Sequence, residues 1–372
     1  MTSIVKASTR ADLLAIVPGL LGYTPTNSVV LVAFRGKRSC GALRFDLPRS
    51  ESKTVTSRIA STMIGWICKL PAADAVVAVI YTDQTFARSI AAPHRQLGEV
   101  LRRKIDQSGF EVRGLLCHAA DGWASYGHRF PAGGHDLAEL RDSTAAAEVA
   151  RHDRPLSGDQ NSLGAIADVD PMALERFTLE LDRLRGLVEA MTDGDQSVDP
   201  SIDSLMDVPL LAEDALCWSA EELDVKGALL LLAVQGPPNR DLVMLQWASS
   251  LEVGDALYSQ ALGEPLSGPF TEEDLGNLMF GIGARPNVDR IQLGIALLGE
   301  LLVRASGRER LPLLTMLAWL SWALGMGSRA DGYLQQSALI EVKSFCVVYR
   351  SRCDPSVGYA LRAWSSGVTS SG

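Results

Sequence analysis

The chain has 372 residues, of which 47% are hydrophobic, 21% charged and 6% aromatic, and its net charge is −9. So much apolar surface excludes general disorder, and the length exceeds what one hydrophobic core ordinarily serves, so two or three compact units are expected. Residues 1–150 carry 18 Lys/Arg against 13 Asp/Glu and residues 151–372 carry 17 against 31, a division that fits either two mutually attracting halves or a basic face meeting nucleic acid or an acidic partner.

In chain order, Thr9–Asp12 has the spacing of a capping box in its Asp form and opens a helix, Ala11–Val17, which Pro18 is expected to stop. A loop over Gly22–Asn27 precedes Ser28–Phe34, a β-branched apolar run. After a turn at Arg35–Ser39 the chain returns as Cys40–Leu47, so the two runs predict a β-hairpin ended by Pro48. Thr54–Lys69 places Val55, Ile59, Met63, Trp66 and Ile67 at helical spacing. Ala75–Thr82 is apolar throughout, as a strand covered on both faces would be. A second amphipathic helix, Arg95–Ser108, leads through Gly109 to the strand Val112–His118. The order ββαβαβ predicts an α/β domain with a mixed sheet whose last two strands are parallel, because a helical crossover joins them.

Beyond residue 130 the strand signal fades. Pro131–His135 reads as a glycine-rich loop, Ala138–Ala150 as a helix, and Pro171–Met191 as a strong helix with Leu174, Phe177, Leu181, Leu184 and Val188 in one stripe. Thr192–Ser204 is polar and contains proline, as a linker would. Helical patterns follow near 207–218, 225–235, 240–250, 272–281, 288–305, 312–325, 328–342 and 356–366, without a fixed repeat period. The expected organisation is an α/β domain over 1–150, a helix and acidic linker over 151–204, and an all-α helical bundle over 205–372. Leu311–Ser328 carries no charge, but a proline and a Gly-Met-Gly-Ser end leave an apolar helix of about 14 residues, short of the roughly 20 that cross a bilayer. A buried helix is expected there, and no membrane partner.

The common catalytic motifs are missing. No GxxxxGK[ST], HExxH, GxSxG or strand-borne GxGxxG occurs, and Gly325–Ala330 matches GxGxxA only after a helix, where it reads as a turn. Asp193, Asp195 and Asp199 fail as a calcium loop, since Val198 and Ser204 stand where glycine and a bidentate glutamate belong. The cysteines, at 40, 68, 117, 217, 346 and 353, form no zinc spacing and read as buried small hydrophobes of a reducing compartment. No signal peptide pattern is found, and a cytoplasmic location is expected.

The candidate site lies in the α/β domain. If the strands 75–82 and 112–118 run parallel, their carboxyl ends share the sheet edge where ligands of open α/β sheets bind. Asp83 follows the first strand; His118 and Asp121 follow the second. The three could hold a divalent ion or serve as acid and base, and the same acids could equally be loop caps and turn formers. Arg44 and Asp46 share a strand face, ready to meet an anion or to pair with each other. Trp123, Tyr126 and His128 cluster in a glycine-containing loop, placed to stack on a ligand or to roof a domain junction.

Three stretches carry a family resemblance. Ala11–Pro25 with Ser28–Val32 and Leu43–Pro48 (LRFDLP), then Trp123–Tyr126 (WASY) before a glycine-rich stretch, then Leu311–Ala323 with its small-residue turn, resemble an actinobacterial family termed domain of unknown function 4192. The likeness spans most of the chain in order, and its first block is the most specific. Members of the family it resembles often carry cysteines shortly after the WxSY-like segment, where in this chain His128 stands near. The resemblance implies a bacterial cytoplasmic protein and transfers no catalytic residue. The expected role is therefore a binding or regulatory interaction module with a protein partner, its cofactor undefined. The alternatives are a metal-assisted hydrolase or nucleotide-handling enzyme using the strand-end acids, with a small-molecule or divalent-metal ligand, and nucleic-acid binding by the basic N-terminal domain.

Overall fold

A computed structural model describes residues 6–49, 52–87, 91–151, 171–192, 199–264 and 270–340. The chain divides into two compact units, Met1–Leu163 and Gly164–Gly372. The first holds a five-stranded mixed sheet with helices, and the second is helical throughout its described residues.

In the first unit, helix α1 (Arg10–Leu21) opens on the expected capping box: Thr9 accepts from the Asp12 N–H, and the Asp12 carboxylate receives the N–H of Thr9 and of Ser8. Burial tends to raise the Asp12 pKa, but these hydrogen bonds prevail and hold it below the usual carboxylate value. The helix does not stop at Val17. It runs through Pro18 for another turn and closes where the Gly22 N–H, in the left-handed region at φ 82°, donates to the Pro18 carbonyl. A proline forfeits a single helical bond. The last turn is held from outside by α5 (Thr144–Arg151), whose Val149 packs so close to Gly19 that a Cβ there would lie 2.6 Å from it.

Strands β1 (Ser28–Arg35), β2 (Arg38–Asp46), β3 (Ala75–Tyr81), β4 (Glu111–His118) and β5 (Trp123–Ser125) stand in the order β2-β1-β3-β4-β5. Only the β3–β4 pair is parallel, as a helical crossover requires, here made by α3 (Arg95–Gln107). β3 is buried at every position, which accounts for its unbroken apolar sequence. Alternate side chains divide its two faces. Val77, Val79 and Tyr81 join Val30, Val32, Leu116 and Trp123 in a core shared with Leu14 and Val17 of α1 and Leu140 of α4 (Ala138–Arg141). On the other face α2 (Lys53–Cys68) and α3 lie side by side, α3 against β3 and β4, burying Met63, Ile67, Leu101 and Ile105.

Two local expectations change. The aromatic loop is partly a strand, β5, and the single helix over Ala138–Ala150 is two, α4 and α5. The break falls at Asp142–Ser143, where the Ser143 hydroxyl and carbonyl accept from Ala146 and Ala147 and so restart the chain as a new helix.

The second unit contains α6 (Pro171–Thr192), α7 (Val208–Ala215), α8 (Ala220–Ala233), α9 (Pro237–Ala248), α10 (Leu251–Ala261), α11 (Glu272–Met279), α12 (Val288–Arg304), α13 (Arg310–Ala323) and α14 (Gly327–Ile340). The α10 helix was hidden in the sequence pattern, and Pro200–Met206 of the expected linker is a 3-10 turn capped by Asp199. Residues 193–198 of that linker and the pattern at 356–366 lie outside the described residues. α13 is buried from Leu311 to Ala323 and packs among α9, α12 and α14, so its apolar run serves the protein core. Among the described residues no helix is long and apolar enough to cross a membrane. Gly325, at φ 76°, sits in the turn between α13 and α14, so the GxGxxA match is a helix–helix connection.

Candidate functional site

The parallel pairing of β3 and β4 does bring the ends of both strands to one edge, and the loops beyond them are fastened together. Thr82 N–H donates to the His118 carbonyl, Ala120 N–H to Gln84 and Ala119 N–H to Gly122. Asp83 lies exposed after β3 in a reciprocal pair with Asn27: the Asn27 amide donates to Oδ2 at 3.2 Å, and the Asp83 N–H donates to Asn27 Oδ1 at 3.1 Å. Asn27 itself takes a left-handed backbone at φ 40°, a conformation asparagine tolerates in turns. Asp121 accepts the Phe86 N–H at 2.9 Å, closing the loop after β3 onto the loop after β4. The Asp121 carboxylate thus holds a backbone N–H, while at Asp83 it is the Asn27 amide oxygen that does so and the carboxylate receives the Asn27 amide N–H.

His118 ends β4 on the rung shared with Tyr81, and the two rings stack with centroids 5.2 Å apart. Burial lowers the His118 pKa, because the imidazolium loses hydration among apolar neighbours. The same burial pushes the Tyr81 phenol up. Continuing across the sheet, His118 pairs with Trp123, and Trp123 bridges to His135 by two backbone bonds of 3.0 and 2.7 Å with the rings stacked at 4.6 Å. One row, Tyr81–His118–Trp123–His135, therefore crosses the edge of the sheet. Within it the Tyr81 hydroxyl and the Trp123 indole N–H are buried without a hydrogen-bond partner. Neither Tyr81 nor His135 was legible as a site residue, since only strand register aligns them; His118 next to a strand-end Tyr was the available signal.

The remaining candidates are engaged nearby. Arg44 Nε donates to the Ser28 hydroxyl at 2.8 Å, and its Nη2 meets Asp46 Oδ1 at 2.5 Å, so the two charges pair across their shared strand face. Tyr126 donates its hydroxyl to the Pro93 carbonyl at 2.5 Å and lays its ring against Gly98 of α3. Trp123 sits in the sheet core, so these two aromatics pack inward within the first unit. His128 is exposed and receives Arg10 Nη2 at Nε2, 2.8 Å away. A guanidinium only donates, so Nε2 accepts and the ring proton belongs on Nδ1, which faces the Tyr126 carbonyl at 3.3 Å and the Ser125 hydroxyl at 3.4 Å. In that tautomer His128 cannot take a proton from Ser125. Among the described residues no group of three or more His, Cys, Asp or Glu is arranged to hold a metal ion.

Of the four described cysteines, Cys117 alone is buried; Cys40 is half-buried, while Cys68 and Cys217 are exposed. The expectation of buried thiols therefore holds at Cys117, in the middle of the sheet, and not at Cys68, in the last turn of α2, or Cys217, beyond the end of α7.

Fold and edge together define an α/β unit with a mixed five-stranded sheet followed by a helical unit. A family model for a domain of unknown function, DUF4192, matches residues 11–339, nearly the whole chain, and the chain belongs to that family. Neither the curated proteins nor the solved structures yield a match.

Proposed function

We propose that this protein works by binding, as an interaction or regulatory module, and that the acids at the carboxyl ends of β3 and β4 are structural. The supporting observation is the bonding of Asp121 to the Phe86 N–H across two loops, mirrored by Asp83 with Asn27. Hydrogen bonds from Phe86 N–H to Asp121 and between Asn27 and Asp83 are what braces of the loops would make, while each exposed carboxylate keeps a second oxygen, so turnover is the measurement that separates brace from base. His128, held by Arg10 in the Nδ1-protonated form, is no base for Ser125. The basic balance of residues 1–150 favours a partner with acidic groups. The scattered cysteines, with no short-spaced framework, fit a reducing compartment, and a bacterial, actinobacterial cytoplasm belongs to the same reading.

The test uses the full chain and the Asp83→Asn and Asp121→Asn variants, assayed on ester and phosphate-ester substrates with and without Mg2+ or Mn2+. The expected result is no turnover that depends on either acid. Asp121→Asn should melt roughly 2–6 °C lower through the loosened loops, a loss of about 1–1.5 kcal/mol for one charge-assisted bond. Turnover that drops a hundredfold or more in either folded variant would overturn the reading in favour of the hydrolase.

A further inference from the structure

The α2 and α3 helices border a recess of about 910 Å³ lined by Lys53, Thr54 and Ser57 from one helix and by Arg95, Gln96, Glu99, Val100 and Arg103 from the other. Its composition follows from helical periodicity. Positions 95, 99 and 103 fall on one stripe with 96 and 100, while 53, 54 and 57 fall on one face of the facing helix. Three cations therefore meet one carboxylate, and Glu99 is already bonded to Arg95 at 2.9 Å. Lys53 and Arg103, both exposed, have no ion-pair partner among the described residues. Thr54 and Ser57 line the same recess, and neither hydroxyl has a hydrogen bond among the described residues.

We propose that this recess binds the phosphoryl group of a small phosphate ester, with Lys53 and Arg103 as the charged contacts and Thr54 and Ser57 as hydroxyl donors. The charge count favours that ligand. A terminal phosphoryl group carries −1.5 to −2 at neutral pH with three acceptor oxygens, matching two unpaired cations and adjacent hydroxyls, where a single carboxylate would leave one cation unmatched. Three cations neutralise at most three phosphates and so supply a strand with little of the counterion-release affinity on which nucleic-acid binding rests. The inference goes beyond the binding role proposed above by naming a site and a ligand chemistry, and it concerns no residue of the sheet edge.

The experiment is calorimetric titration of the full chain with inorganic pyrophosphate at 50 and 150 mM NaCl. It compares wild type with Lys53→Ala, Arg103→Ala and the remote control Lys37→Ala in the β1–β2 turn. One-to-one binding is expected, weaker at higher salt, about tenfold weaker in each recess variant and unchanged in the control. Because both substituted side chains are exposed, the variants should keep the wild-type melting temperature, which separates lost binding from lost fold. Absence of binding heat at 50 mM NaCl, or equal affinity in wild type and Arg103→Ala, would overturn the proposal. So would a short single-stranded DNA that displaces pyrophosphate and binds more tightly, which would assign the surface to a strand. Failure here leaves the turnover test at Asp83 and Asp121 unaffected, so the two readings fail separately.

Discussion

Gly254, near the start of α10, is a position where local and tertiary physics predict opposite signs. By helix propensity alone, Gly254→Ala should stabilise the chain by about 1 kcal/mol. In the structure a Cβ at this position would lie 2.1 Å from Gln246 Oε1 and 2.6 Å from its Cδ. Gln246 is wholly buried and cannot step aside freely, because its Nε2 donates to the Pro209 carbonyl at 2.8 Å and to Glu213 Oε2 at 2.9 Å. Either α10 moves off α9, an overpacking cost of about 1–3 kcal/mol, or the amide shifts and leaves buried partners unsatisfied at about 1–3 kcal/mol each. Set against the propensity gain, the cheaper route leaves a net loss of up to about 2 kcal/mol, which for a unit of this size lowers the melting temperature by up to roughly 4–8 °C. Differential scanning calorimetry of the variant measures it. Gly299→Ala in α12, where an added Cβ meets nothing within 4 Å, is the matched control and should melt slightly higher than wild type. A Gly254→Ala protein that melts at or above the wild-type temperature would refute the reasoning that Gln246 is pinned.

Three further outcomes are expected. Hydrogen bonds from the Arg290 guanidinium, at 2.6 Å, hold the Glu213 pKa below its ordinary 4.5 against the opposing effect of burial. A depressed carboxylate contributes stability that is complete above the unfolded pKa and is lost as pH falls through the folded one; denaturant midpoints should therefore drop below pH 4.5, and Glu213→Gln should flatten that drop. His118 is held neutral by burial, so its folded pKa lies below its ordinary 6.5 and the unfolded chain binds the extra proton first. Stability of the first unit should then fall as pH is lowered from 6.5, with a shallower slope in His118→Gln. Burial pushes the Cys117 thiol up to about 12, so an aromatic disulfide reagent at pH 8 should label Cys68 and Cys217 rapidly and reach Cys117 only after denaturation.

Much of the architecture follows from sequence alone because its causes are local. The capping box at Thr9–Asp12, the apolar run of β3, the amphipathic stripe of α3 and the helical crossover that makes β3 and β4 parallel each need only a few neighbouring residues. Repeated apolar spacing likewise marks most helices of the second unit. What escaped has non-local causes. α1 crosses Pro18 because Val149, far along the chain, supports its last turn, and Trp123–Ser125 is a strand because β4 and His135 supply its hydrogen-bond partners.

The candidate site divides the same way. Sequence placed Asp83, His118 and Asp121 at strand ends, and the parallel pairing put those ends on one edge; it left open whether the side chains were free to react. Only the tertiary structure shows which donors face them, and those donors are distant in the chain. Asn27 lies 56 residues from Asp83 and Phe86 lies 35 from Asp121. The recess between α2 and α3 is the converse case. Its polar faces are written in each helix separately, but they become one concave surface when the fold brings together two segments some forty residues apart in the chain. Periodicity fixes which residues share a face, and long-range packing fixes what that face meets.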